Sequence, residues 1–221
     1  MIEYISNNYN YIIQLTIEHL IIVLTSIVIS IIIALPIGIF ISFNENIAKR
    51  VIAAANILMT IPSIALFGLM LPILAPFNLS LGKTPAIIAL VLYNQLPIIS
   101  NTYSSLKNID RTIISTAKAI GLSNWHILKE VTIPMSIPII IGGIRTASVL
   151  SIGITAIAAY IGAGGLGVLI QMGISRIYFE MVLAGAIFIS VIAIIFDVLM
   201  YLFEYIITPK GILIQRKTKK L

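Results

Sequence analysis

Residues whose types and spacing could do chemistry are sparse in this 221-residue chain. No serine, histidine and aspartate fall in an arrangement typical of nucleophilic catalysis, and no two carboxylates pair for acid–base work. His19 and His126 have no partner at metal-ligand spacing, and the absence of cysteine excludes thiol chemistry and zinc–thiolate sites. The sequence therefore predicts neither an enzyme nor a metal site.

Polar residues inside apolar segments are the remaining candidates, because burying them in lipid is costly. Arg145 and Asp197 fall at similar depth in two such segments, and we expect a structural ion pair between them. Contact with a substrate, or with water lining the bundle, is the alternative. Asn94 and Gln95 are expected to hydrogen-bond to neighbouring helices, with a position on a transport pathway as the alternative.

Composition places these residues in a membrane protein. Hydrophobic residues make up 59% of the chain and charged residues only 10%, and the mean hydropathy is +1.10. Apolar segments of about 20 residues match a hydrocarbon core roughly 30 Å thick. We therefore predict an all-α, polytopic bundle in a single domain, residues 1–221. Its five spans are 19–42, 51–75, 84–106, 138–160 and 180–207.

The segment between the last two spans, 161–179, is apolar but rich in glycine, and we expect a partly re-entrant loop rather than a sixth span. The N-terminus lacks the positive region of a cleavable signal peptide, so the first span is expected to remain in the mature protein.

The basic residues predict the orientation, because they concentrate in cytoplasmic loops. One set of loops holds only Lys83 and Arg176. The opposite set holds eleven: Lys49, Arg50, Lys107, Arg111, Lys118, Lys129, Lys210, Arg216, Lys217, Lys219 and Lys220. The N-terminus is therefore predicted outside, and the 107–133 loop and the basic 208–221 tail in the cytoplasm. We expect the tail to contact lipid headgroups rather than nucleic acid.

The 107–133 loop has the signals of two short helices. Asp110 is a cap for a helix beginning at Arg111, and Gly121 ends that helix in a left-handed conformation.

The second short helix is expected to begin after a cap at Ser123 or Asn124 and to run through Glu130. Pro134 and Pro138 are then expected to turn the chain into the fourth span.

This loop resembles the EAA motif of ABC importer permeases, the MetI-like family, in which Glu-Ala-Ala, a later glycine and Leu-Pro-x-x-x-Pro recur. The family's Glu and first Ala are replaced here by Ser115 and Thr116. The matching positions are Ala117, Gly121, Val131, Ile133, Pro134, Pro138, Gly143 and Ile144.

Other stretches resemble the glycine betaine/carnitine/choline branch of that family: Thr60-Ile61-Pro62-Ser63-Ile64-Ala65-Leu66, Gly143-Ile144-Arg145-Thr146, and Tyr160-Ile161-Gly162-Ala163-Gly164-Gly165-Leu166-Gly167. Together the resemblance covers about residues 15–205.

The resemblance implies a multi-pass permease of the bacterial cytoplasmic membrane that pairs with a second permease subunit, identical or paralogous. A separate ATPase dimer binds ATP, so this chain needs no cofactor, and an extracellular solute-binding protein delivers the small-molecule substrate. Coupling to the ATPase is then assigned to Ser115, Thr116, Ala117, Gly121, Leu122, Trp125, Val131, Pro134 and Pro138.

The substrate that the branch implies is a small zwitterionic or quaternary ammonium osmoprotectant. Phe67, Tyr93 and Tyr160 are possible cation–π contacts, although helix packing is the commoner role of such residues. Alternatives are the same machinery importing amino acids or another polar solute, and a channel or structural membrane subunit. A channel would have no use for the 107–133 loop as a docking site for an ATPase.

A glycine-rich run matches a dinucleotide-binding pattern, but it follows an apolar helix rather than a strand in a soluble unit. Gly82-Lys83-Thr84 likewise lacks the upstream glycine of a phosphate-binding loop. We therefore expect no nucleotide site in this chain. The run instead predicts a tight helix break and candidate gate at Gly162, Gly164, Gly165 and Gly167.

Overall fold

The computed structural model describes residues 2–208, so the predicted basic tail, apart from Thr208, lies outside the described residues. Within that range the chain is helical and contains no strand. The helices are α1 (Ile2–Asn7), α2 (Tyr9–Ile41), α3 (Glu45–Thr60), α4 (Ser63–Leu74), α5 (Lys83–Lys107), α6 (Arg111–Ala119), α7 (Asn124–His126), α8 (Ile133–Ala158), α9 (Gly167–Ser175) and α10 (Phe179–Ile207). A π-helical turn, Ile127–Thr132, joins α7 to α8.

Over residues 2–208, three helical stretches are long and apolar enough to cross a membrane: α2, the continuous run Asn124–Ile161, and α10. The bent pair α3–α4 brings the number to as many as four. The 25-residue α5 extends roughly 37 Å at 1.5 Å per residue, but it is less apolar than the others. The five predicted spans coincide in position with α2, α3–α4, α5, α8 and α10.

The second span is not the continuous helix expected over 51–75. Instead, α3 and the helical segment that begins with α4 meet at a bend of 99°. Ile61 has an extended backbone (φ −67°, ψ 126°), the conformation favoured before a proline, and Pro62 precedes α4. Pro62 therefore breaks the helix rather than kinking it. The Tyr93 hydroxyl donates a 2.6 Å hydrogen bond to the Ile61 carbonyl oxygen and so satisfies an acceptor at the break.

The expected turn at Pro134 and Pro138 is also wrong, because the helix continues through both residues. Pro134 is the second residue of α8, and the helical run that contains it begins ten residues earlier, at Asn124. The π-helical turn Ile127–Thr132 immediately precedes it and changes the hydrogen-bond ladder at that point. The second short helix of the loop is consequently the beginning of the long helix.

Helix α5 is the centre of the bundle, where it packs against α2, α3, α4 and α8. Its Leu90 and Ile98 are fully buried. A helix surrounded by protein does not have to be apolar on every face, which explains the lower hydropathy of α5. By contrast, only 11% of the most apolar 18-residue stretch of α10 is buried, so most of the α10 surface faces away from the rest of the chain.

The segment predicted to be re-entrant contains α9, which packs against α8 and α10. Its nine residues extend about 13 Å, too short to cross a hydrocarbon core of ~30 Å. A sixth full span is therefore absent from this part of the described chain.

Candidate coupling surface and intramembrane polar sites

The first helix of the loop, α6, begins at the predicted residue. The Asp110 carboxylate accepts a 2.8 Å hydrogen bond from the backbone N–H of Thr112. This bond favours the ionised form and lowers the pKa of Asp110 below its usual 3.8. The cap satisfies one of the free N–H groups of the first turn and adds a negative charge where the helix dipole favours it.

The same helix ends in a complete Schellman motif around Gly121, whose φ is +90°. The N–H of Gly121 donates to the Lys118 carbonyl (2.9 Å), and the N–H of Leu122 donates to the Ala117 carbonyl (3.1 Å). Apart from its two chain neighbours, no residue in the range 2–208 has an atom within 4 Å of the place where a Cβ of residue 121 would stand. The turn therefore needs glycine for its backbone conformation and not for space.

Ser123 caps the helix that follows, as one of the two predicted caps. Its side-chain oxygen accepts from the backbone N–H of His126 (3.4 Å) and lies 2.7 Å from His126 Nδ1. Two helices thus meet at an exposed elbow formed by residues 120–125, which we call the elbow.

Two large apolar side chains project from the elbow: Ile120 is 74% exposed and Trp125 is 67% exposed. Large exposed apolar groups in one short segment are typical of a surface that a partner covers. The hydroxyls of Ser115 and Thr116 both donate to the Thr112 carbonyl (2.9 and 2.8 Å). Because both groups are neutral, neither replaces the charge of the family's Glu.

The predicted coupling residues divide by exposure. Ser115, Thr116, Gly121 and Trp125 are exposed. The remainder are half-buried or buried, and they support the loop from within: Ala117, Leu122, Val131, Pro134 and Pro138.

The expected ion pair between α8 and α10 is present. Arg145 Nε and Nη2 each donate to one carboxylate oxygen of Asp197, in the bidentate geometry that suits a guanidinium. The Tyr201 ring lies under the guanidinium, 5.6 Å from its central carbon to the ring centroid. About a third of each charged side chain is exposed: 32% of Arg145 and 36% of Asp197.

Asn94 links three helices, as expected. Its Nδ2 donates to Ser30 Oγ of α2 (3.2 Å), and its Oδ1 accepts from Ser151 Oγ of α8 (2.9 Å). The residue is 1% exposed, so in this conformation it binds helices together rather than lining a path.

Gln95 behaves differently from its neighbour. Its Nε2 donates only to the Val91 carbonyl of its own helix (2.8 Å), and its buried Oε1 has no partner among residues 2–208. The side chain borders an apolar groove of about 280 Å³, lined also by Val51 and Leu58. Gln95 therefore does not join two helices.

The aromatic candidates of the second and third spans are core residues. Phe67 is fully buried and Tyr93, which bonds the Ile61 carbonyl, is 5% exposed. Tyr160, two residues after the end of α8, is half exposed.

The glycine-rich run breaks the helix as predicted. Gly162, Gly164 and Gly165 all have positive φ (+77°, +83° and +77°), which side chains rarely adopt. The N–H of Gly82 donates to the Ile161 carbonyl (3.0 Å), so the loop before α5 is joined to the break.

The break is packed tightly between α2 and α8. The N–H of Gly165 donates to Glu18 Oε2 (3.2 Å), and a Cβ at Gly165 would stand 3.2 Å from His19. A Cβ at Gly164 would meet the Glu18 carboxylate, and one at Gly167 would overlap the Ala156 backbone.

Sequence reasoning did not find Glu18 or His19 as partners of this loop. His19 is fully buried, and its Nε2 lies 3.1 Å from the Ile152 carbonyl oxygen of α8. A carboxylate and an imidazole beside the predicted start of the first span were the available signal. Tyr201 was also missed, although it lies one helical turn beyond Asp197.

An all-helical bundle with several membrane-length apolar helices and an exposed elbow at one end defines a polytopic membrane protein. The sequence matches the family of binding-protein-dependent transport system inner membrane components over residues 26–207. The chain belongs to this family, which makes it a membrane-embedded, multi-pass transport component and not an enzyme.

Named relatives agree over almost the whole chain. It is 44% identical over 211 residues to the osmoprotectant import permease protein OsmW of Salmonella typhimurium, covering 96% of this chain and 98% of that protein. It is 37% identical to the glycine betaine/carnitine/choline transport system permease protein OpuCB of Bacillus subtilis, with coverage of 96% and 95%.

Solved structures share the fold. An inward-facing form of the MetNI methionine ABC transporter superposes with a TM-score of 0.78 at 21% identity, covering 90% of this chain and 96% of that one. A chain of an amino acid ABC transporter superposes with a TM-score of 0.75 at 18% identity, with coverage of 91% and 96%. The MetI-like permease fold expected from the sequence is thereby confirmed.

Proposed function

We propose that this chain is the membrane subunit of an ABC importer that carries a small zwitterionic or quaternary ammonium osmoprotectant into a bacterial cell. The observation that carries the proposal is the 44% identity to an osmoprotectant import permease over nearly all of both chains. Permeases named for glycine betaine, carnitine and choline match at 31–37% identity, and they favour the same substrate class.

The partners of the proposed importer are an ATPase dimer, a second permease subunit and an extracellular solute-binding protein. The chain lies in the cytoplasmic membrane with its N-terminus outside, as the distribution of lysine and arginine favours. The elbow and α6 then face the cytoplasm, where the ATPase binds.

The elbow is the proposed contact with the ATPase. Its exposed Ile120 and Trp125 offer an apolar surface, and the Schellman turn at Gly121 sets the angle between α6 and the long helix. A short helix that this turn joins to a spanning helix transmits nucleotide-driven closure of the ATPase to the bundle. Nucleotide shifts such an equilibrium only by its different affinity for the two states.

The coupling proposal is tested with Gly121→Asp. We expect normal membrane insertion and ATP hydrolysis that no longer drives uptake, because the variant adds a side chain and a negative charge to the surface that the ATPase is proposed to cover. Trp125→Ala is expected to weaken co-purification of the ATPase. Normal uptake by Gly121→Asp at normal protein level would contradict the assignment.

The substrate proposal is tested by reconstitution in liposomes with the partner ATPase and binding protein. ATP-dependent uptake of labelled glycine betaine, carnitine and choline is compared with uptake of methionine and histidine. We expect uptake of at least one of the first three. Uptake of an amino acid alone would support the alternative importer, and failure to co-purify any ATPase would point to a channel or structural subunit.

A further inference from the structure

An open cavity of about 570 Å³ lies between α5, α8 and α10, and the Arg145–Asp197 pair forms part of its wall. Asn101 and Thr146 add two neutral polar groups, while Val149 and Leu150 supply apolar surface. The cavity therefore combines a cation, an anion and hydrogen-bonding groups within one largely apolar recess, a composition typical of small-molecule sites.

The partial exposure of this ion pair requires an explanation. Arg145 lies at the middle of α8, and about a third of its side chain and of the Asp197 side chain is open. Charges at membrane depth face protein or a water-filled cavity, because contact with lipid is costly. This face of α8 and α10 therefore faces either a water-filled path or the second permease subunit.

The chemistry of the recess matches one class of solute. The carboxylate of such a solute can pair with the guanidinium of Arg145. Its quaternary ammonium group can pair with an aromatic face and with a carboxylate of the protein. Asp197 lines the cavity. Tyr201 lies beside it rather than in its wall, four residues further along α10, with its ring under the Arg145 guanidinium.

We propose that this recess is a transit site for zwitterionic solutes, in which the solute replaces the ion pair by pairing with both of its members. The solute carboxylate takes the Arg145 guanidinium, and its quaternary ammonium group takes Asp197 and the face of Tyr201. The proposal rests on the function proposed above and adds the place in the membrane where the solute is recognised.

Exchange of partners explains why an ion pair would be kept here. Removing one member of an ion pair at membrane depth leaves an uncompensated charge there, which is unfavourable. A zwitterion brings both opposite charges, so neither Arg145 nor Asp197 is left unpaired while it is bound. A solute without charged groups offers no such replacement, so the ion pair stays closed and excludes it.

The first experiment separates transit from a purely structural pair. In the double variant Arg145→Gln with Asp197→Asn, hydrogen-bonding side chains of similar shape remain and neither member of the pair is left as a lone charge. Replacing both members of an ion pair together is often close to neutral for stability even when the pair is buried, so we expect normal protein level and ATPase assembly for this partly exposed pair. Uptake of glycine betaine is expected to fall roughly tenfold, the equivalent of losing one charge-assisted hydrogen bond.

The second experiment uses the aromatic ring, which a structural ion pair does not need. Tyr201→Phe keeps the ring and should retain uptake, whereas Tyr201→Leu should raise the concentration for half-maximal uptake roughly fivefold. Phe203→Leu is the matched control, because Phe203 is 51% exposed on the same helix and Tyr201 is 54% exposed. It should behave as the wild type.

Three outcomes overturn the proposal: normal glycine betaine uptake by the neutral double variant, loss of protein level in that variant, or equal effects of Tyr201→Leu and Phe203→Leu. The wild-type reconstitution separates this failure from that of the proposed function. If wild type imports none of the three osmoprotectants, the proposed function is wrong. If wild type imports them and the variants do too, only the transit site is wrong.

Discussion

The elbow at Gly121 and the glycine-rich break at residues 162–167 meet the same backbone requirement in opposite surroundings. Both contain glycine at positive φ. Around Gly121 a Cβ would touch nothing within 4 Å, whereas Cβ atoms at Gly164 and Gly167 would collide with Glu18 and Ala156. At Gly121 the turn is thus set by its own hydrogen bonds rather than by close packing, whereas the break is packed against two neighbouring helices.

This difference separates an exposed turn from a part that holds helices together. The exposed turn at Gly121 leaves room for a partner to cover it, as the proposed contact with an ATPase requires. The break joins α2 to α8 through the Gly165–Glu18 hydrogen bond and close backbone packing. If these glycines form a gate, its opening must separate α2 from α8, and the candidate gate therefore stays a prediction about another conformation.

The largest expected effect is that of Gly167→Ala. Gly167 begins α9 without positive φ, so the added methyl group acts through its clash with the Ala156 backbone alone. We expect about 3 kcal/mol of destabilisation, the upper end for overpacking. Thermal unfolding of the purified permease in detergent measures it.

Gly153→Ala is the matched control for that variant, because Gly153 lies in α8 with open space around its Cβ position. It should be neutral or stabilise the helix by up to about 1 kcal/mol. Equal unfolding temperatures of the two alanine variants would show that the break is not packed as described.

A smaller effect is expected of Gly121→Ala. The added methyl group meets no neighbour, so the variant has only the cost of a left-handed residue, about 1–2 kcal/mol. Gly121→Asn should cost less, because asparagine tolerates this conformation. Hydrogen exchange of α6 measures the change locally, while the unfolding temperature of the bundle should stay constant. A large fall in that temperature would remove the contrast between the two regions.

The prolines show how far local sequence predicts this fold. Pro62 breaks a helix, while Pro134 and Pro138 lie inside one. The difference depends on where each proline falls in the hydrogen-bond ladder and on distant partners such as Tyr93, which lies 32 residues from the Ile61 carbonyl it satisfies. Helix positions and the cap at Asp110 follow from local signals, and local signals are what a single sequence contains.

The sites divide in the same way. The Arg145–Asp197 pair was predictable, because two opposite charges in apolar segments leave few other partners. The contact between Glu18 and Gly165 was not, since it joins residues 147 positions apart and uses a backbone N–H that any residue has. The exposure of the ion pair, on which the transit site depends, required the arrangement of three helices.

The smallest expected effect concerns the Asp110 charge that caps α6, the helix that leads into the elbow. Because the folded-state pKa of Asp110 is depressed, its cap is complete above the usual value of 3.8 and is lost as the pH falls through the lower folded-state value. Amide exchange of the first turn of α6, followed downward from pH 5, should accelerate relative to Asp110→Asn at the same pH. Asparagine caps without a titrating charge, so it corrects for the intrinsic pH dependence of exchange. Identical exchange in both proteins down to pH 3 would mean that the carboxylate charge contributes nothing to the start of this helix.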